Sequence, residues 1–485
     1  MKKKLLVPIF LAAIALPVAL NRGTGAVNAE FIGEITNKND YLKFGYKVNA
    51  QMADEGFVLL KNRKNESGKA FLPMAGNEKV SLVGKNSIKI ARGGGGSGDA
   101  QPTKSADAID FEKSLKDAGF DVNPTALTFY KGSSSGSGRA NGNDGWKGNS
   151  QVVIGETPIA SVTGNASLMA SLDEYNGAAI QVLTREGSEG CDVKTCNAHD
   201  SKATNSSNKK ISDRHALQLS ENEEALLNEL KNHTDNIIIV INSSNIMECD
   251  ALEKDPKVAA ILWVGNPGDV GAGAVGRILK GEVNPSGHTV DTWARDFRED
   301  PTFQNFSDNS QTNEITLSNG DVYYAPQDTM FTKDGEPMMS FGTDKSYKDH
   351  SKPRWDSARG GEEAKVVAGG INGVKPAAYV SYEEGIYVDY RYYETKYADM
   401  AAKDQAAADE WYNGQKGVVY PFGYGLSYTT FHQEIIKSNI KKDGKINEKN
   451  EVISFRVKVT NTGNVAGKDA VQLYWKAPYK KGGIE

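Results

Sequence analysis

The run Ile237-Ile238-Ile239-Val240-Ile241 decides the fold, because β-branched residues follow one another there without a polar interruption. Such a run is typical of a strand that is buried on both faces of a parallel sheet. Just before it, Ser220-Glu221-Asn222-Glu223 has the form of a capping box and predicts the start of a helix. Together the two stretches predict a helix that leads into a central strand.

Strand and helix patterns alternate on both sides of this unit. Further strands are predicted at residues 79–83, 178–184 and 259–264, and helices at 46–61, 108–118, 247–253 and 271–279. This alternation indicates the α/β class, with a parallel sheet covered by helices on both faces. Ligands of such sheets bind beyond the carboxyl ends of the strands. The functional residues are therefore expected in the loops 93–98, 186–192, 242–245 and 265–268.

The glycine-rich loop 93–98 (GGGGSG) matches the pattern G-x-G-x-x-G. A dinucleotide site needs these glycines directly at a strand-to-helix turn, whereas the predicted strand ends near Gly84. Two other interpretations stay open: a flexible loop, or a loop whose backbone, with Ser97 and Gly98, closely approaches a ligand.

The loop after the second strand holds three carboxylates and an arginine in the sequence Arg185-Glu186-Gly187-Ser188-Glu189-Gly190-Cys191-Asp192. Cleavage of a glycosidic bond needs one carboxylic acid to protonate the departing oxygen and a second carboxylate across the sugar. The flanking glycines would let Glu189 project into a cleft. A solvated acidic turn is the alternative from composition alone.

Charge, cysteines and the N-terminus limit the class of protein. The 57 basic and 62 acidic residues give a net charge of −5 and are scattered, which argues against a nucleic-acid partner.

Three cysteines cannot all pair internally. The default interpretation is that they are ordinary core or loop cysteines, including Cys249. The alternatives are a disulfide between Cys191 and Cys196 and a zinc site with His199. No metal or other cofactor is predicted.

The first 29 residues have the features of a secretory signal, with Lys2 to Lys4, an apolar stretch at 5–20 and small residues before position 30. An uncleaved membrane anchor is the alternative, although the stretch is shorter than the about 20 residues that a span needs. Either interpretation predicts an extracellular or cell-surface protein.

Two later regions depart from the α/β pattern. Residues 133–150 and 296–375 have few apolar periods, so we expect a mobile loop and an irregular insertion. Alternating residues at 452–459 and 470–475, around a turn at 461–464, predict the opening of a β-sandwich. Two or three strands are too few to close such a core.

Read in chain order, the sequence resembles family-three glycoside hydrolases. The matching segments are residues 55–62 with Leu72-Pro73, then 79–84, 93–98, 185–192, 266–268, 281–287, 384–393 and 420–428. The resemblance implies a six-stranded α/β sandwich at 44–430, followed by a fibronectin-III-like domain that begins at 431–485 and is incomplete there. It also implies a (β/α)8 barrel that carries the nucleophilic aspartate, in the permuted order in which the barrel comes last.

The resemblance places the acid/base glutamate of the family at Glu189. Many members have an arginine where this chain has Val193, a replacement that members of the permuted order also tolerate. Beside Glu189 we expect Ser97, Gly98, Arg185 and Asp192 to contact the substrate. The Ser-Asp-Trp segment that would hold the nucleophile does not occur in the 485 residues. We therefore expect the nucleophile in a barrel that is missing from this chain.

The expected activity is retaining hydrolysis of terminal β-glycosidic bonds, most simply that of a β-glucosidase on oligosaccharides or aryl β-glycosides. Glu189 would act first as acid and then as base, and burial in a closed cleft would raise its pKa. The chain alone would then be inactive. A non-catalytic carbohydrate-binding or scaffold protein of the same fold is the alternative.

Overall fold

The computed structural model describes residues 37–94, 107–139, 154–187, 214–303, 384–414, 416–440 and 452–474, and the backbone of strands at 312–316 and 322–326. Residues 1–45 form one compact unit, of which only 37–45 are described, and residues 46–485 form the other. None of the described helices combines the length and apolarity that a bilayer span requires. The predicted signal or anchor at 1–29 lies outside the described residues.

A six-stranded sheet organises the second unit. Its strands are β1 (Val58–Asn62), β2 (Lys79–Val83), β3 (Asp121–Val122), β4 (Ala178–Arg185), β5 (Ile237–Ser243) and β6 (Val258–Trp263). They lie in the order β1-β6-β5-β4-β2-β3. All neighbouring pairs are parallel except β1 with β6, which is antiparallel. The predicted α/β class is confirmed, with one antiparallel edge strand added.

Helices cover both faces of this sheet. They are α1 (Lys38–Gly56), α2 (Phe111–Asp117), α3 (Pro124–Lys131), α4 (Ile159–Thr163), α5 (Ala166–Glu174), α6 (Glu221–Leu230), α7 (Asp250–Lys254) and α8 (Gly273–Lys280). Ile238 and Val240 of β5 pack in the core that includes α2 and α8. Ile239 and Ile241 pack in the other core, with α3, α5 and α6. Alternate residues of one strand thus supply two cores, as an α/β sandwich requires.

The prediction of one helix over 46–61 is wrong in its last turn. Helix α1 ends at Gly56, and β1 begins at Val58. Val58 and Leu60 point into one core and Leu59 into the other, which is the period of two that a strand has. The apolar run also satisfies helical spacing, so only pairing with β6 decides its conformation.

Two helices begin directly after a residue whose side chain caps them. The capping box is present at α6, where the Ser220 hydroxyl accepts a bond from the Glu223 amide at 3.2 Å and the Glu223 carboxylate accepts one from the Ser220 amide at 2.8 Å. The Asp110 side chain caps α2, so that helix begins at Phe111 and not at residue 108. Both starts agree with the preference of helices for such side chains.

Small elements follow the sheet domain. They are β7 (Trp293–Ala294), β8 (Thr312–Thr316), β9 (Val322–Pro326), α9 (Tyr390–Ala401), α10 (Gln405–Asn413), β10 (Val418–Tyr420), β11 (Phe431–Ser438) and β12 (Phe455–Asn461). The antiparallel pairs are β7 with β10, β8 with β9 and β11 with β12. The region 296–375 therefore contains a strand pair, contrary to the expectation of irregular structure. Within residues 133–150, Ser133–Ser135 form a 3₁₀ turn in which Ser135 is buried.

The strand predicted at 470–475 is wrong for residues 470–474, which have no regular secondary structure. The Gln433 side chain donates to the Asp469 carboxylate at 2.7 Å and to the Ala470 carbonyl at 3.1 Å. Side-chain bonds, and not a backbone ladder, thus attach this segment to β11. The pair β11–β12 is a two-stranded antiparallel sheet, and the β-sandwich stays a prediction.

Truncation of Ile239, which is fully buried at the centre of β5, should expose how much the fold depends on this strand. We expect Ile239→Ala to lower the free energy of unfolding by about 2–5 kcal/mol, because a cavity remains. Urea denaturation followed by circular dichroism measures the change. The control Val290→Ala, at a side chain that is 63% exposed, should stay within about 0.5 kcal/mol of the parent. Equal effects of the two substitutions would contradict a β5-centred core.

Candidate active site

The carboxyl ends of β4, β5 and β6 lie at one edge of the sheet. In the pairing register, Thr184 is opposite Asn242 and Ile241 is opposite Trp263. The apolar runs stop at this level and polar residues begin. The loops predicted to hold the functional residues therefore start side by side.

Asn242 joins three of these loops through its side chain alone. Its amide oxygen accepts a bond from the Ala91 N–H at 2.7 Å, and its amide nitrogen donates to the Ala91 carbonyl at 2.8 Å and to the Gly265 carbonyl at 2.7 Å. The side chain is fully buried. Because buried amides need such partners, the loops after β2, β5 and β6 are held in fixed relation.

Arg92 and Asn49 strengthen the same edge. The Arg92 guanidinium donates to the Ile109 carbonyl at 2.7 Å and to the Asp269 carbonyl at 2.6 Å. Asn49, on α1, donates to the Pro267 carbonyl at 2.8 Å. A β-carbon on Gly268 would lie 2.9 Å from the Asn49 amide oxygen, and the φ of Gly268 is +70°. Glycine is therefore required where this loop meets α1.

The loop after β4 lies against the start of the glycine-rich stretch. A β-carbon on Gly94 would be 3.4 Å from the Gly187 carbonyl oxygen. The neighbouring Glu186 carboxylate accepts a bond from Nε of Arg139 at 2.8 Å, and Nη1 of Arg139 donates to the Lys89 carbonyl at 2.9 Å. These contacts bring together two loops that the sequence analysis selected separately.

Lys85, Lys89 and Arg139 form a group of neighbouring cations. Nζ of Lys85 donates to the Tyr130 carbonyl at 2.7 Å and to the Ser135 hydroxyl at 2.9 Å. Burial lowers the pKa of the Lys89 ammonium, and the positive charge of Arg139 lowers it further. Burial likewise lowers the pKa of Lys85, with the Lys89 charge as the second cause. Glu186 is the acid that pairs with Arg139, at 2.8 Å.

Arg185 lies at the end of β4, as predicted, but its side chain is fully buried. It forms a bidentate ion pair with Glu223, with Nη1 to Oε1 at 2.8 Å and Nη2 to Oε2 at 2.7 Å. The other N–H groups donate to the carbonyls of Thr184, Ala216 and Gln218. All five donors of a guanidinium are thus in use. These surroundings do not support the prediction that Arg185 contacts the substrate.

The other predicted site residues, namely Glu189, Ser97, Gly98 and Asp192, lie outside the described residues, and so do Cys191, Cys196 and His199. Their roles stay predictions. Cys249 is a buried core residue, and burial raises the pKa of its thiol. In the part of the chain that the structure describes, no group of three His, Cys, Asp or Glu side chains could hold a metal ion.

Sequence reasoning missed the roles of Asn242, Arg139 and Lys89. Asn242 had a usable signal, because it is the first polar residue after a run of buried apolar ones and falls in a selected loop. Arg139 had none, since it follows a stretch of serine and glycine that gives no period. Its ion pair with Glu186 spans 47 positions of sequence.

A pocket of about 240 Å³ opens beside the carboxyl end of β6. Met52, Phe57 and Trp263 form its apolar walls, and Asn49, Asn266 and Pro267 also line it. The indole N–H of Trp263 donates to the Ser243 carbonyl at 2.6 Å. Trp263 is only partly buried, and one side of it faces this pocket.

Comparison with known proteins gives a consistent family. Residues 57–428 match the family model described as the glycosyl hydrolase family 3 C-terminal domain. β-Glucosidase A of Butyrivibrio fibrisolvens is 26% identical over 453 residues, covering 90% of this chain and 42% of that protein. Thermostable β-glucosidase B of Acetivibrio thermocellus is 24% identical, covering 94% of this chain and 42% of that protein. The chain thus spans less than half the length of these relatives.

Two solved structures share the fold. The β-glucosidase of Paenibacillus barengoltzii has a TM-score of 0.51 at 20% identity, covering 86% of this chain and 33% of that one. β-Glucosidase 3B of Thermotoga neapolitana, solved with glycerol, has a TM-score of 0.51 at 21% identity, covering 90% of this chain and 43% of that one. At this identity the likeness concerns the fold alone.

Removal of the Asn242 amide should destabilise the sheet edge where the loops after β2, β5 and β6 meet. Asn242→Ala leaves the buried Ala91 N–H and two carbonyls without this partner, so we expect the free energy of unfolding to fall by about 1–3 kcal/mol. The control is Asn245→Ala, because the buried Asn245 side-chain oxygen has no hydrogen-bond partner among the residues that the structure describes. Loss of the Asn245 side chain should change the free energy of unfolding by less than about 0.5 kcal/mol. Urea titration of both variants gives the comparison, and equal stability of Asn242→Ala and the parent would refute the bridging role.

Proposed function

The chain belongs to glycosyl hydrolase family 3, and we propose that it takes part in the hydrolysis of β-glucosides by supplying the proton-donating carboxylate, Glu189. The observation that carries the proposal is the convergence of the loops after β2, β4, β5 and β6 around Asn242 and Gly187. Glu189 follows Gly187 by two positions. The family match at residues 57–428 includes this segment.

In the proposed reaction, the Glu189 carboxylic acid protonates the glycosidic oxygen while a second carboxylate attacks the anomeric carbon. Water then reaches the glycosyl–enzyme intermediate, and the Glu189 carboxylate takes its proton. Retaining enzymes of this kind hold the two carboxyl groups about 5–5.5 Å apart. The second carboxylate is proposed to lie in a barrel outside these 485 residues. Support for that comes from the absent Ser-Asp-Trp segment and from the greater length of the relatives.

An extracellular or cell-surface location is also proposed. It rests on the lysines at positions 2–4 and on the apolar stretch that follows them. Outside the cytoplasm the protein would meet oligosaccharides and aryl β-glycosides directly.

The isolated chain should not turn over substrate. Half of the carboxylate pair is proposed to lie elsewhere, so the purified 485-residue chain should release no nitrophenol from 4-nitrophenyl β-glucoside above the buffer rate. Absorbance at the nitrophenolate band measures this. Turnover by the chain alone would place the nucleophile within it and overturn the division of roles.

Glu189→Gln in the complete enzyme, meaning this chain with its nucleophile-bearing barrel, should separate substrates by leaving group. The kcat/KM on cellobiose should fall by about 10²–10⁴, because the departing sugar needs a proton. The kcat/KM on 2,4-dinitrophenyl β-glucoside should fall far less, since dinitrophenolate leaves unprotonated and kcat/KM does not include the later step in which Glu189 acts as base. The matched control is Glu186→Gln in the same loop, which should change both rates by one common factor. Equal losses on the two substrates in Glu189→Gln would reject Glu189 as the acid.

A further inference from the structure

The pocket beside the carboxyl end of β6 has an aromatic wall that is held in place by the protein. The indole N–H of Trp263 is already bound to the Ser243 carbonyl, at 2.6 Å. The ring also makes a T-shaped contact with the fully buried Trp293, with centroids 5.5 Å apart and planes at 75°. Because these contacts fix the indole, the part of Trp263 that faces the pocket is preorganised for a ligand.

The other walls come from the end of α1 and from the loop after β6. Phe57 is buried, and its amide donates to the Ala53 carbonyl at 3.1 Å. The Pro267 carbonyl accepts a bond from the Asn49 side chain at 2.8 Å. Met52, in contrast, is 61% exposed. The pocket is therefore preformed on its inner side, while the flexible thioether of Met52 can adjust to what enters.

The lining offers few polar atoms to a ligand. Among the lining residues that the structure describes, only Asn49, Trp263 and Asn266 have nitrogen or oxygen in their side chains. The Asn49 oxygen accepts the Val270 amide at 3.0 Å, and its nitrogen donates to Pro267. The Asn266 side-chain oxygen is enclosed by protein. A sugar ring, with a hydroxyl on most of its carbons, would lose hydration here without gaining partners.

The size and chemistry of the pocket fit a substituted benzene ring. Its volume is about 240 Å³, whereas an apolar cavity of about 150 Å³ is already large enough to bind benzene. A phenyl ring can thus lie against Trp263 and Met52 with room for a substituent. Charged side chains are absent from the described lining residues, so an ionised ligand would find no counter-charge.

The pocket opens at the sheet edge where the site loops begin. Ile241 of β5 is paired with Trp263 of β6, and Thr184 of β4 is paired with Asn242 of β5. Neighbouring strands lie about 4.8 Å apart, so the carboxyl ends of β4 and β6 are about 10 Å from each other. This distance is comparable with the length of one sugar ring joined to one aryl ring.

We propose that the pocket holds the aromatic ring of an aryl β-glycoside while the sugar of the same molecule lies nearer the end of β4. The position of the sugar rests on the proposed function, whereas the preference for an aromatic ring rests on the pocket alone. Trp263 and Met52 are then specificity-determining residues, because they contact the aglycone and not the sugar. The complete enzyme would accordingly favour glycosides of phenols over oligosaccharides.

Fluorine NMR tests the pocket without catalysis. The 485-residue chain should bind 4-fluorophenol saturably, with a Kd of about 1 mM, as expected for so small a ligand. The affinity should fall about tenfold in Trp263→Leu and about threefold in Met52→Ala, because ring–ring and sulfur–ring contacts are lost. Met52 is exposed, so Met52→Ala should fold even if Trp263→Leu does not. Parent-like affinity in every folded variant would overturn the proposal.

Trp411→Leu and Met400→Ala are the matched controls, since neither residue lines the pocket. Their affinities for 4-fluorophenol should stay within about twofold of the parent's, as expected for substitutions at distant sites. Equal losses in the controls would assign the effect to general destabilisation and overturn the proposal. A large excess of methyl β-glucoside should leave the probe bound. Displacement by this sugar would show that the pocket does not prefer an aromatic ring, and the proposal would fail.

Kinetics of the complete enzyme test the assignment to the aglycone. In Trp263→Leu and Met52→Ala, kcat/KM on phenyl β-glucoside should fall by the same factors as the affinity for 4-fluorophenol, and kcat/KM on cellobiose should fall far less. Equal losses on both substrates would overturn the aglycone role. Failure of the complete enzyme to bind the probe would also overturn it, because another part of the protein would then fill the pocket. If Glu189→Gln fails to separate its substrates, the proposed function fails, and the NMR titration still decides whether the pocket binds an aromatic ring.

Discussion

Burial of β5 on both faces is the constraint from which the rest of the molecule follows. A strand with isoleucine or valine at successive positions has no polar side for water, so it must lie inside a sheet with helices above and below. β4 and β6 flank it for the same reason, and their side chains alternate between the same two cores. β4 and β5 change from apolar to polar at paired residues, Thr184 opposite Asn242, and β6 ends beside them at Trp263, opposite Ile241. The packing of the core therefore also fixes the sheet edge at which the candidate site lies.

Prediction from sequence succeeded where a local pattern has one physical meaning. The buried strands and the capping box of α6 are of this kind. It failed at β1, where residues 57–60 satisfy the helical and the strand period equally and pairing with β6 decides. At the site, the strand-end rule selected loops that begin side by side at one edge of the sheet. Apart from the adjacent Thr184 carbonyl, the partners of Arg185 and Arg139 lie 31 to 50 positions away, so no local pattern could indicate them.

Buried cations have one recurrent use in this domain. Lys61 binds carbonyls at the end of α7, Lys85 binds carbonyls at the end of α3, and Arg185 binds carbonyls ahead of α6. In each case the charge satisfies backbone oxygens that would otherwise be buried without partners. Proximity to the site edge is thus insufficient to make a basic residue a ligand contact, and the hydrogen bonds of each cation must be counted before it is assigned to substrate.

Among the described residues, the Asn242 side chain binds only main-chain atoms, namely the N–H and carbonyl of Ala91 and the carbonyl of Gly265. Every amino acid except proline offers the first pair, and every amino acid offers the last. These hydrogen bonds therefore do not depend on which side chains the loops carry during divergence of a lineage. An anchor of this kind keeps the positions of the loops independent of the side chains that determine specificity.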